Sequence, residues 1–143
     1  MKLIALTTVS LALPLLLAGP GRAENPAHVQ QLLETNLCYA CDLSGADLSQ
    51  AHLIGADLRM ANLEGANLSE SNLEGADLTG ATLEGANLNS AFLTNAILEN
   101  ANLNEVDLSQ ADIFHAVVTG ASFEGADLSQ AQIVGTPISI GGD

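Results

Sequence analysis

Tryptophan is absent, tyrosine occurs once and phenylalanine three times in 143 residues. A core built on large aromatic side chains is therefore excluded. Basic residues are almost as scarce, with three Lys+Arg against seventeen Asp+Glu and a formal net charge of −14. A chain this acidic has no basic patch for nucleic acid or an anionic membrane surface. With only two cysteines, there is no second pair to complete a four-ligand zinc site. Beyond the first twenty or so residues, no apolar run is long enough to span a membrane. Even so, 48% of the residues are hydrophobic, so the chain is not disordered by composition. Its length fits one domain.

Residues 1–23 read as a signal peptide. Lys2 precedes an apolar run from Leu3 to Ala18 that Pro14 interrupts, and Gly21 and Ala23 supply the small residues of a cleavage site. The competing reading is a buried N-terminal helix. Cleavage after Ala23 would leave Arg59 as the one basic residue against seventeen acids, a net −16.

From Cys41 to Ile140 the chain counts in fives, through twenty consecutive pentapeptides. The central residue is Leu in fifteen of them, and Ile113, Val118, Phe123, Ile133 and Ile138 complete the set. Two residues earlier stands Ala in sixteen, with Cys41, Ser71, Val106 and Thr136 as the exceptions. Asn or Asp precedes the centre in twelve, and Gly follows it by two residues in nine. In an extended segment, residues two apart point the same way, so the Leu and Ala positions face inward together. Gly or Asn at the fifth position suits a tight corner. A helix is excluded, because a five-residue step at about 100° per residue scatters the leucines around its axis. Fixed periodicity of this kind marks a stacked repeat architecture.

The segments ADLSQ (46–50), ANLEG (61–65) and ADLTG (76–80) follow the pattern A-[DN]-L-x-x. The chain thereby resembles the pentapeptide-repeat family over residues 41–140. The resemblance implies an all-β fold, a right-handed quadrilateral β-helix with four pentapeptides per coil and about five coils. It is strongest to exported members with a CxxC-bearing N-terminal cap, frequent in cyanobacteria, which implies the periplasm or thylakoid lumen. The implied role is a non-enzymatic scaffold or binding module with a protein partner.

The repeat needs caps at its ends. Residues 24–40 are expected to form the N-terminal cap, with a short α-helix over 26–35 begun by Asn25 and Pro26. Val29, Leu32 and Leu33 form its apolar stripe. Residues 141–143 are left as a tail, and the C-terminal coil has no recognisable cap. That open end admits pairing with a second copy of the chain. Cys38 and Cys41 form CYAC. In an exported protein they invite a disulfide stapling cap to rod; the alternative is a redox-active pair.

No convergent catalytic set is visible, and no cofactor or metal is expected. His28, His52 and His115 are dispersed. Outward positions should be polar, yet Phe92, Ile97, Phe114, Val117 and Val134 break the rule near one corner, bordered by His115. These six residues form the candidate partner surface. The acids map mainly to the first two of four faces, where they keep the rod soluble or meet a basic partner. A rival reading follows from the same acidity, since some family members are acidic rods that mimic DNA and bind DNA gyrase. A leader for export argues against it, because gyrase is cytoplasmic. No stable membrane insertion is expected after cleavage.

Overall fold

The computed structural model describes residues 24–139. The signal peptide read over residues 1–23, Ile140 and the tail 141–143 lie outside them.

The first element is α1, Pro26–Thr35. Asn25 caps it, its side chain accepting the Ala27 N–H at 3.1 Å, and Pro26 occupies the first turn, where its missing donor costs nothing. Asn36 ends the helix in the left-handed conformation, φ 56°, and its N–H returns to the Leu32 carbonyl at 2.8 Å. The expected three-residue stripe is narrower than the sequence implies. Leu32 is fully buried and Val29 packs against the core, but Leu33 is 53% exposed. The helix bears on the rod along the Leu32 line, and Leu33 falls on its open flank.

The rest of the chain is a ladder of parallel pairings between residues twenty apart. It opens at Leu37 with Asp57 and continues through Asp42 with Asn62 and Asp47 with Asn67, as far as Asp107 with Asp127. Twenty residues per coil means four pentapeptides per coil. Each rung is made by the backbone groups flanking the residue before a centre: around Asp42, Leu43 N–H donates to Asn62 O at 2.8 Å, and Asn62 N–H to Cys41 O at 2.8 Å. Most corners are closed by a short turn bond, such as Ala66 N–H to Leu63 O at 3.0 Å. Longer strands occur at one place only among the described residues. There β1 (Asp112–Phe114) pairs with β2 (Gln132–Val134), matching Asp112 with Gln132, Ile113 with Ile133 and Phe114 with Val134.

Leucines fill the axis. Leu43 to Leu108 at the central positions are buried to within 2%, each burial contributing on the order of 1.5–3 kcal/mol before entropy costs. Alanines at the position two earlier leave room for them. At the C-terminal end the same positions lose their cover. Ala121, Ala126, Leu128, Ala131 and Ile138 are only partly buried, and Ile133 is 37% exposed.

The fifth position is left-handed throughout. Gly takes it at nine corners, but Gln50, Met60, Glu70, Gln110, His115 and other non-glycine residues take it too, with φ of 54–60°. Stacking on the coils above and below imposes the conformation whatever the residue.

Candidate functional site

Cys38 and Cys41 are joined by a disulfide, with Cα atoms 5.2 Å apart. Cys38 occupies a central, inward position in a repeat beginning at Asn36, one pentapeptide before Cys41, since its neighbour Leu37 already pairs with Asp57. Both half-cystines are buried, at 0% and 4% exposure. The bridge therefore lies in the core directly beneath α1, at the level where the leucine column stops.

A repeat count starting at Cys41 passes over the outward residues that flank Cys38. Leu37 is 60% exposed and Tyr39 62%. Arg59 lies over the Tyr39 ring, 5.6 Å from its centroid, and forms a bidentate pair with Asp57 at 2.7 and 2.8 Å. The pair holds the Asp57 carboxyl below its ordinary range and raises the guanidinium further. With Met60 exposed alongside, the N-terminal rim carries an apolar collar. The sequence signal for it was one more repeat with an unusual small residue, Ala40, at its corner.

The expected partner surface lies on β1, β2 and the strands beside them. Phe92 pairs in register with Asp112, Phe114 with Val134, and Ile97 with Val117. Phe92 is 45% exposed, Val117 39% and Val134 53%, while Phe114 and Ile97 are half-buried. His115, at the corner, is exposed and its ring covers Gly135 closely enough to leave no room there for a Cβ. The six residues thus share one corner region of the rod. Beneath it, Thr136 departs from the alanine rule with a purpose: its buried hydroxyl accepts the Ala116 N–H at 2.9 Å and donates to Ile113 O at 3.1 Å. Elsewhere those two backbone groups bond each other directly, as in Ala96 N–H to Leu93 O. The hydroxyl wedge opens this corner and lets β1 run on as a true strand.

On the acidic faces, the aspartates Asp42, Asp47, Asp107 and Asp127 are tied into the rod by hydrogen bonds. Asp42, Asp47 and Asp127 accept from the hydroxyls and N–H groups of Ser44, Ser49 and Ser129, which hold their carboxyls below the ordinary value. A shallow cavity of about 400 Å³ opens at the C-terminal end between Ala121, Ser122, Phe123, Glu124 and Ser139. Its polar lining is the hydroxyls of Ser122 and Ser139 and the Glu124 carboxylate, and the Ser122 hydroxyl donates to Asn104 Oδ1. Among the described residues no cluster of His, Cys, Asp or Glu is placed to hold a metal ion, and no helix is long and apolar enough to cross a membrane.

The family model for pentapeptide repeats matches the chain in overlapping segments, 41–80, 61–100, 76–113 and 93–130, more than half of its length. The chain belongs to the pentapeptide-repeat family. Among solved structures of the family, Rfr23 from the cyanobacterium Cyanothece 51142 is similar at 26% identity, with a TM-score of 0.64 over 78% of this chain and 92% of that one. The pentapeptide-repeat protein alr5209 from Nostoc PCC 7120 is similar at 28% identity, with a TM-score of 0.56 over 79% and 93%. QnrB1, a plasmid-mediated fluoroquinolone resistance protein, shares the fold at 20% identity and a TM-score of 0.62 over 70% of this chain and 51% of its own. No curated protein matches the chain. Pentapeptide-repeat proteins are generally structural or interaction modules, and β-helix is their fold.

Proposed function

We propose that this pentapeptide-repeat protein is an exported, non-enzymatic scaffold that binds a protein partner at the Phe92, Phe114 and Val134 corner. The carrying observation is that apolar side chains stand at outward positions here, on a paired strand platform, while outward positions elsewhere on the rod are mostly polar. Exposed aromatic and aliphatic groups gathered on a rigid surface are the usual anchors of protein interfaces. Export to the periplasm or thylakoid lumen is supported by the leader pattern and the buried disulfide. In this reading the β-helix is right-handed with about five coils, the cap expected over residues 24–40 shortens to 24–35 because 36–40 already pair as a repeat, and the open C-terminal coil offers a second contact, to another copy of the chain.

The test is affinity isolation of the protein from its native compartment beside a variant carrying Phe92→Ser and Phe114→Ser. A specific protein retained by the first and lost from the second supports the corner. The same proteins on both, or none on either, counts against it.

A second reading rests on the excess of acid, seventeen against three: the rod mimics DNA and binds gyrase. Inhibition of supercoiling by the purified protein would favour it, and export of the native protein would oppose it. A redox role for the cysteine pair is less well supported, because both sulfurs sit in the core out of reach of an exchanging thiol.

A further inference from the structure

Twelve repeats place Asp or Asn immediately before the central residue, and eleven of them use the side chain in the same way. The carboxylate or amide oxygen accepts the N–H two residues on, as from Asp47 to Ser49, Asn72 to Glu74, Asp77 to Thr79 and Asp107 to Ser109. The twelfth is Asp112. Its chain continues as β1 instead of turning, so the Phe114 N–H does not fold back onto it. Its carboxylate has no hydrogen-bond or ionic partner among the described residues.

This one free carboxylate of the series stands inside the apolar corner. Phe92 is its register partner on the preceding coil, and Gln132 its partner on the next. Phe114 projects from the same face two residues along, with Val134 beside it. The one basic residue of the described chain, Arg59, is engaged with Asp57. A purely apolar partner docking here would bury Asp112 unpaired, which costs far more than the apolar contact returns.

We infer that the corner takes a lysine or arginine side chain of the protein partner, with its cation on the Asp112 carboxylate and its aliphatic stem against Phe92 and Phe114. The assignment rests on the reading of this corner as the interface. Aromatic faces attract a cation, the stem of a basic side chain covers apolar surface, and the carboxylate supplies the paired charge. The overall excess of acid draws a basic segment toward the rod, and Asp112 fixes where it seats.

The probe is a random dodecapeptide library displayed on phage and selected against the full chain. Recovered peptides are expected to carry Lys or Arg beside apolar residues. Their binding should weaken at least about tenfold in Asp112→Asn and survive Asp107→Asn, a control on the acidic face. Asp112→Asn should not disturb folding, since its side chain holds nothing in place, and Asp112→Lys should shift the selection toward Asp and Glu. If peptides depend on Phe92 and Phe114 but not on Asp112, the cation assignment is overturned and the interface stands. If none depends on Phe92 and Phe114, both are overturned.

Discussion

The Nδ1 atom of His28 accepts the backbone N–H of Asp42 at 2.9 Å. One coil further on, the equivalent N–H, that of Asn62, goes to the Cys41 carbonyl at 2.8 Å. The imidazole thus supplies the acceptor that a preceding coil would have supplied. Thr35 and Gln31 do the same at the other end of α1, the hydroxyl accepting the Leu37 N–H and the amide donating to the Leu37 carbonyl. A solenoid edge is a row of unpaired strand groups that invites other chains. Helix α1 satisfies part of that row with side chains.

His28→Leu should therefore leave the Asp42 amide without a protein acceptor, at a cost of about 1 kcal/mol. Native-state hydrogen exchange would read it. Protection at Asp42 should fall while protection at Asn62, one coil in, stays as it is. Equal protection at Asp42 in both proteins would mean the ring is not the acceptor in solution.

The disulfide closes a loop of only three residues' separation. Its entropic contribution is accordingly small, about 2 kcal/mol. Replacement of both cysteines by alanine should lower stability by about that amount, together with a loss of core packing beneath α1. Because both sulfurs are buried, dithiothreitol should reduce the native protein only as fast as the N-terminal end opens. Mild urea should accelerate reduction before the rod as a whole unfolds. Immediate reduction of the folded protein would contradict the burial and revive the exchange role.

Acid should weaken the fold through the tethered carboxylates. Asp42, Asp47 and Asp127 have carboxyls held below the ordinary value by serine donors, and Asp57 by Arg59. A depressed native pKa contributes stability that is complete above the unfolded value and disappears as pH falls through the native one. Stability should then drop as pH falls below the ordinary aspartate range, about pH 4. Urea midpoints at constant ionic strength would measure the drop, and Ser49→Ala with Ser129→Ala should flatten it. If stability instead keeps rising on acidification, relief of repulsion among the acids outweighs these hydrogen bonds.

The five-residue period is enough to place every central leucine from Leu43 to Leu108 in the core, because a solenoid writes its fold locally and each repeat meets only its neighbours; Leu128 stacks near the open end and stays partly exposed. The helix over 26–35 was also readable, since Asn25 and Pro26 are a start signal that depends on no distant contact. What escaped was set by the ends of the stack or by contacts between coils. Leu33 fits the stripe by spacing, yet lies beyond the edge of the surface that α1 covers. Leu37, Cys38 and Tyr39 belong to one more repeat, disguised by Asn36 at the alanine position. Thr136 reads as a lapse in the pattern, and only the Ala116 and Ile113 backbone groups it joins explain it. Asp112 matches eleven siblings in sequence, and its freedom follows from that same opened corner.

The corners carry one more consequence of stacking. Glycine meets the left-handed requirement at nine of them, but Gln110 holds φ 60° with a Cβ in place. An L-residue pays roughly 1–2 kcal/mol for that conformation, and glycine gives back about 0.5–1 kcal/mol through its greater freedom in the unfolded chain. Gln110→Gly should therefore stabilise the rod by about 0.5–1 kcal/mol, read as a higher urea midpoint at unchanged slope. The reciprocal change at an unobstructed corner, Gly75→Ala, meets nothing within 4 Å, so any loss there isolates backbone strain from crowding. Destabilisation by Gln110→Gly would show that the glutamine side chain contributes more along the rod than its backbone conformation costs.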